Sequence, residues 1–434
     1  MSSSRKRGSH LLRGLLGAGL LGISLSPSAS AAPNKPAPDS AAGQQAYEAN
    51  CVRCHGATGA GDGRDAKQMD PQPRILSEGI FKFRTTASGT PPTDEDLYRT
   101  ISVGLPGSRM PDFQRLPEET RWQLVYTIKS LTQVFEEQKP EPIDLGTDPG
   151  PKKISISRGK ELYTQLGCAS CHGNQGRADG PSAPTLVDNW GRPIRSADLT
   201  QGFSFRGGSD IREIVTRVMA GVDGTPMPSY ADALSSKEDA WHLAAYVHSL
   251  QESPRWSRTI QGMKIQGALP STPDDPAWKS APRTDLRLSS SFYRDGEILP
   301  TTVRSISAQA LYNDREILFR LSWNDPNETQ TDPPDAVAVA MIPDRRLKMQ
   351  VGSLRGWPAT PDAPALDLYR WTAGAVQEAQ SSYAEGRWTV LVKRPLEGVG
   401  LSVPALTGFM VYNGANGEQG RWRANSNWVN LVLE

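Results

Sequence analysis

Cysteine is scarce in this chain, with four residues among 434: Cys51, Cys54, Cys168 and Cys171. They fall in two close pairs, so no thiol is left over for a structural disulfide, a zinc site or a reactive nucleophile. Histidine is nearly as rare, at five. Net charge is almost absent, at +1, and gives no support for nucleic-acid binding. Beyond residue 31 no apolar run reaches about 18 residues, so no membrane span is expected in the mature chain. The length is too great for one small domain and suggests two to four. With 37% hydrophobic residues, 40 Gly and 35 Pro, compact modules joined by irregular segments are expected.

The beginning of the chain has its own character. Arg5, Lys6, Arg7 and Arg13 precede or interrupt an apolar stretch from Leu11 to Leu25, and Ala29-Ser30-Ala31 follows. A basic region, a short apolar core and small residues together read as a secretory signal peptide over residues 1–31, which places the protein in the periplasm. Loss of its four basic residues takes the formal charge from +1 to −3. Residues 33–41 read as a leader before the first module.

The cysteines lie in Cys51-Val-Arg-Cys54-His55 and Cys168-Ala-Ser-Cys171-His172. This C-x-x-C-H spacing is the attachment signal for c-type haem: both thiols reach the porphyrin edge and the adjacent imidazole swings under the iron. A redox dithiol would need a βαβ context, and zinc would need ligands the chain lacks. In each copy a methionine follows 59 residues after the first cysteine, as Met110 and Met227. Both are flanked by Pro and Gly, in Gly104-Leu-Pro-Gly-Ser-Arg-Met110-Pro111 and Gly221-Val-Asp-Gly-Thr-Pro-Met227-Pro228. A thioether on such a loop can approach the iron opposite histidine, and it favours the ferrous state. Met69 comes too soon after its motif and Met219 sits in a helix-like run. His242 and His248 are expected on the last helix of the second unit, in packing or surface roles.

The repetition goes further. Ala46-Tyr47 matches Leu162-Tyr163, Phe83-Arg84 matches Phe205-Arg206, and the run from Trp122 to Leu131 matches that from Trp241 to Leu250. Arg84 and Arg206 have two readings: a charge-assisted hydrogen bond to a haem propionate, or a solvent-facing role beside packed phenylalanines. The order of helix, C-x-x-C-H, loop, short helix, Met loop and final helix resembles a duplicated class I cytochrome c. The resemblance covers residues 40–135 and 157–252, with a Pro- and charge-rich linker at 136–156 and a second at 253–274. It implies two all-α units and two covalent haem c groups, with His55 and Met110 on one iron and His172 and Met227 on the other.

From about residue 275 short β-branched and aromatic runs replace the helical pattern: Ala308–Tyr312, Glu316–Trp323, Ala336–Met341, Arg387–Lys393 and Gly408–Tyr412. Turn signals separate them, and an antiparallel all-β sandwich over 275–434 is expected. Phrases such as Asp275-Pro-Ala-Trp278, Phe319-Arg-Leu-Ser-Trp323-Asn-Asp and Gly417-Glu-Gln-Gly-Arg-Trp-Arg423 resemble the haem-binding domain of the ethylbenzene dehydrogenase type. That resemblance implies a b-type haem between a methionine and a lysine, in an electron-transfer subunit of a molybdenum enzyme. Here the two ligand positions fall at Val351 and Arg423, neither of which can donate a lone pair, while Met349 stands two residues away. A sandwich without haem that docks partners or braces the cytochrome units is therefore the expectation, with a third haem, of type b, as the alternative.

The leading functional reading is a dihaem one-electron carrier, serving as subunit or redox partner of a larger oxidoreductase and exchanging electrons with its catalytic subunit or with other cytochromes. A catalytic dihaem enzyme, such as a peroxidase or thiosulfate dehydrogenase, is the second. A haem-based sensor is the third, disfavoured because no signalling domain is attached.

Overall fold

The computed structural model describes residues 35–69, 71–292, 298–299, 301–342, 367–373, 380–396, 405–420 and 422–433. The signal segment, Val351 and Met349 lie outside them.

Side-chain caps set where the first helices begin. Asp39 accepts from the amide of Ala42 at 3.0 Å and opens α1 (Ser40–Asn50). A one-turn helix α2 (Val52–His55) follows directly. Thr93 and Asp96 form a reciprocal capping box at the start of α3 (Asp94–Val103), and the unit closes with α4 (Glu118–Ser130) and a short turn α5 (Val134–Glu137). The second unit repeats the plan in α6 (Ile156–Gln165), α7 (Ala169–His172), α8 (Ile211–Ala220) and α9 (Lys237–Ser249). Asp210 and Glu213 form its capping box, and Ser236 caps α9. In each unit the first and last helices cross, burying Tyr47 and Trp122 in one core and Tyr163 and Trp241 in the other.

Glycine makes these crossings close. A Cβ at Gly43 would lie 2.9 Å from the carbonyl oxygen of Gln123, and one at Gly159 would lie 2.0 Å from that of His242. Backbone contact at that range means that a side chain at either position would force the two helices to shift apart.

The interval read as the first linker is partly structured. Thr86 bridges to Pro142, and the indole of Trp241 donates to the carbonyl of Leu145 at 3.0 Å. The interval read as the second linker contains a strand, β1 (Thr259–Lys264). Its polar composition hid the alternation of a half-exposed strand.

The rest of the chain is a sheet domain. After β1 come β2 (Thr284–Arg287), β3 (Ser289–Phe292), β4 (Ile298–Leu299), β5 (Ser305–Tyr312), β6 (Glu316–Asn324) and β7 (Ala336–Ile342). Then follow β8 (Asp367–Thr372), β9 (Ser381–Ala384), β10 (Arg387–Pro395), β11 (Ala405–Tyr412), β12 (Ala424–Asn425) and β13 (Val429–Leu433). The hydrogen-bonded path runs β4-β3-β12-β11-β13-β1-β5-β6-β10-β9, with β2 attached to β5 and β7 linking β11 to β8. Among the described strands, pairing is antiparallel except at β1, which runs parallel to both β13 and β5. That parallel strand lies outside the 275–434 range of the antiparallel expectation, and the long return from residue 264 to residue 305 lets β1 and β5 point the same way. Trp323 lies opposite Trp388 across β6 and β10, and with Trp371 they anchor the core.

Candidate haem sites

Each C-x-x-C-H sequence closes a single helical turn. The amide of His55 donates to the carbonyl of Cys51 at 2.9 Å, and that of His172 to Cys168 at 3.0 Å. Gly56 and Gly173 end the turns at φ +78° and +80°, in the left-handed region. The preceding helix secures each end: Tyr47 donates its hydroxyl to the Gly56 carbonyl at 2.9 Å, and Tyr163 to Gly173 at 2.6 Å. One turn thus places both thiols and the imidazole together in each unit.

The four thiols are half-buried and unbridged. Burial pushes Cys51 up to about 12 and Cys168 up to about 11, in each case with a smaller push from the neighbouring cysteine. Thiols this firmly protonated are poor thiolate ligands or exchange nucleophiles.

The imidazoles are oriented from behind. His55 Nδ1 lies 3.0 Å from the carbonyl oxygen of Arg74, and His172 Nδ1 lies 2.9 Å from that of Ala197. A carbonyl only accepts, so Nδ1 carries the proton in both rings and Nε2 keeps its lone pair. Burial lowers both histidine pKa values, which disfavours the charged ring. A neutral imidazole whose remote nitrogen is fixed by a carbonyl is the state an iron ligand requires.

The methionine loops are built alike. Helices α3 and α8 stop at Gly104 and Gly221, both at φ +67°. A Cβ at either would lie 2.6 Å from the backbone just beyond the methionine, at Pro111 and Ser229. The amide of Leu105 donates to the Met110 carbonyl at 3.1 Å, and that of Val222 to Met227 at 3.0 Å. Ser108 Oγ accepts from the Met110 amide at 3.1 Å, and Thr225 Oγ1 from the Met227 amide at 3.3 Å. Both methionines are half-buried, and Met110 packs on the same apolar cluster as Cys51. Met219 is a core residue of α8, and Met69 follows a short turn after the first motif. On α9, His242 accepts from the Ser155 amide at 3.2 Å while His248 is exposed.

The matched arginines differ in setting. Arg84 is buried, with Nη2 placed 2.8 Å from Asp223 and 3.1 Å from the carbonyl of Ala220, both in the second unit. Its Nη1 is buried without a hydrogen-bond partner among the described residues. Burial lowers its pKa while Asp223 opposes that fall. Arg206 lies half-buried beyond Phe205.

The same seam joins the units elsewhere. Arg74, whose carbonyl holds His55, lays its guanidinium 4.4 Å over the ring of Trp190 from the second unit. Arg217 donates to the Lys82 carbonyl at 3.1 Å. The sheet domain meets the second unit through Arg387 and Glu252 at 2.9 Å, Arg177 and Asn324 at 2.7 Å, and Arg195 and Asn416 at 3.0 Å. Arg423 is buried, bonded to Asn425 at 3.0 Å and to the Gly420 carbonyl at 2.6 Å. Sequence reasoning singled out Arg84 but missed its partner Asp223, Trp190 and the sheet-domain contacts. Only the Tyr47/Tyr163 repeat gave any hint of the supporting residues.

The residues present fit a covalent haem: two thiols one turn apart and a neutral histidine with a free Nε2 stand in each unit. A buried arginine nitrogen lacking a partner adds a donor suited to a propionate. Residues 38–126 and 155–247 match the family described as cytochrome C oxidase, cbb3-type, subunit III. These two segments are cytochrome c domains, and such domains carry covalently bound haem c.

Among known proteins, the chain is 30% identical over 222 residues to the Cbb3-type cytochrome c oxidase subunit CcoP of Azospirillum sp. (strain B510), covering 48% of this chain and 62% of that one. It is 33% identical over 113 residues to a thiosulfate dehydrogenase of Stutzerimonas stutzeri (strain A1501), covering 25% of this chain and 31% of that one. The chain therefore spans less than two thirds of either relative's length. Among solved structures, a chain of the Kuenenia stuttgartiensis reducing HAO-like protein complex is 43% identical and is covered completely by half of this chain, with a TM-score of 0.48. No helix among the described residues is long and apolar enough to cross a membrane.

Proposed function

We propose that this protein is a periplasmic dihaem cytochrome c that passes single electrons as a subunit or redox partner of a larger oxidoreductase. The observation that carries the reading is the complete duplication of the site: thiol pair, carbonyl-held histidine and methionine loop occur twice in one chain. Each haem c would supply a one-electron iron couple, held by Cys51, Cys54, His55 and Met110 in the first unit and by Cys168, Cys171, His172 and Met227 in the second. The work of the chain is to fix these donors, limit water and hold the two units in one arrangement. Outer-sphere transfer requires no general acid, nucleophile or substrate cavity. Arg84 Nη1 is the candidate propionate donor, and Arg206 is the matching candidate in the second unit.

The sheet domain serves as a brace and docking module, in keeping with its three polar contacts to the second cytochrome unit. Its resemblance to ethylbenzene-dehydrogenase-type domains makes a molybdenum-containing oxidoreductase the favoured class of partner. Pyridine haemochrome analysis of the purified protein tests both points. Two haem c per chain and no haem b supports the carrier with a haem-free sheet domain, whereas a b-type signal assigns a third haem to that domain. One haem c or none contradicts the reading.

The similarity to a thiosulfate dehydrogenase favours a second reading, in which one haem is catalytic. Reduction of the haems by thiosulfate alone, at catalytic turnover with an added electron acceptor, supports it.

A further inference from the structure

The first cytochrome unit grips the methionine loop of the second. Asp223 stands four residues before Met227, where the first unit has Pro106. Its carboxylate accepts from three donors of the first unit: Arg84 Nη2 at 2.8 Å, Ser88 Oγ at 3.0 Å and the amide of Gly89 at 3.0 Å. The same Arg84 nitrogen takes the Ala220 carbonyl at the end of α8, immediately before the loop. A Cβ on Gly224, the next residue, would lie 3.0 Å from Trp190 Cη2 and 3.1 Å from Arg74 Nη1. At the Met110 loop, a Cβ on Gly107 would lie 3.3 Å from the Ser204 carbonyl.

We propose that Asp223 is a positioning residue through which docking of the first cytochrome unit secures Met227 as the iron ligand of the second. This inference rests on Met227 being that ligand. A short loop that carries a weak thioether donor opens at low free-energy cost, and its opening frees the sixth position. Three donors on one carboxylate, one of them a fully buried guanidinium, oppose opening because the arginine would lose the Asp223 carboxylate that offsets the burial of its charge. The loop is thus held at both ends, by the Arg84–Asp223 pair and by the hydrogen bond from the Val222 amide to the Met227 carbonyl. The first unit has Pro106 at the corresponding position, so this carboxylate grip is particular to the second site.

The test compares wild type, Asp223→Ala, Asp223→Asn and Met227→Ala as haem-loaded full-length proteins. The ferric methionine–iron charge-transfer band is read against pH, and amide exchange is followed at Val222 and Met227. Asp223→Ala is expected to lose the second site's share of the band at a pH where wild type keeps both, and to exchange the Val222 amide about tenfold faster. The amides of Leu105 and Met110 should not change. A full band and unaltered exchange in Asp223→Ala overturn the inference while leaving Met227 as ligand, provided that Met227→Ala loses half the band. If Met227→Ala keeps the whole band, the ligand assignment fails and the inference with it. Should Asp223→Ala not accumulate, the isosteric Asp223→Asn decides by the same two readouts.

Discussion

The imidazole Nδ1 of His55 lies 3.0 Å from the carbonyl oxygen of Arg74, a residue 19 positions away whose side chain reaches into the other cytochrome unit. One residue therefore orients a candidate iron ligand with its backbone and joins two domains with its guanidinium. Burial in the seam lowers the Arg74 pKa to about 10, so it stays charged at neutral pH and its stack on Trp190 is a cation–π contact. Trp190→Leu removes that contact and the indole hydrogen bond to Glu78. Its expected cost is about 0.5–2 kcal/mol, read as a lower urea midpoint for the cytochrome half with both haems retained.

The helix crossings give a graded prediction. Gly159→Ala drives a methyl group to 2.0 Å from the His242 carbonyl, whereas at Gly43 the Thr127 hydroxyl can turn aside and the Gln123 carbonyl stands farther off, at 2.9 Å. Overpacking of this kind costs about 1–3 kcal/mol. Gly159→Ala should fall at the upper end and Gly43→Ala below it, measured by urea denaturation of the two variants.

The proposed methionine ligands are testable one at a time. Met110→Ala and Met227→Ala should each convert one haem to a form that binds added imidazole or cyanide rapidly and should lower its reduction potential, because a thioether favours ferrous iron. Spectropotentiometric titration should show two couples in every variant, with one displaced in each.

A pH dependence is expected from the sheet domain. Glu418 is buried under the amides of Thr302 and Asn413, at 3.2 Å each, and the side-chain amide of Asn416 at 2.9 Å. Burial, the largest cause, raises its pKa from 4.5 to about 7. A raised carboxyl pKa means that the native state holds a proton the unfolded chain has lost, so stability falls as pH rises through that window. The fall is at most about 3 kcal/mol. Glu418→Gln should abolish this slope, and its thermal midpoint should gain on wild type between pH 5 and pH 8.

What could be read from sequence follows from how local each feature is. Cys51, Cys54 and His55 are set by one helical turn, and Met110 by a Gly-Pro loop at a repeated spacing, so both were legible. So were the strands from Ala308 to Tyr312 and from Glu316 to Trp323, whose composition suits a buried strand. Contacts between units were not: Asp223 reads as a loop acid and Trp190 as an exposed aromatic until Arg84 and Arg74 are brought to them across more than a hundred residues. β1 was hidden for a related reason, since a polar strand is recognisable only by its neighbours β5 and β13.

The central claim is that two haems are joined by thioether bonds to this chain. Intact-mass measurement of the protein from a host that attaches haem c, after extraction with acidified organic solvent, tests it most directly. The account predicts a chain heavier by two haems, with both additions on the peptides holding Cys51/Cys54 and Cys168/Cys171. An unmodified mass, or pigment that leaves with the solvent, would contradict it.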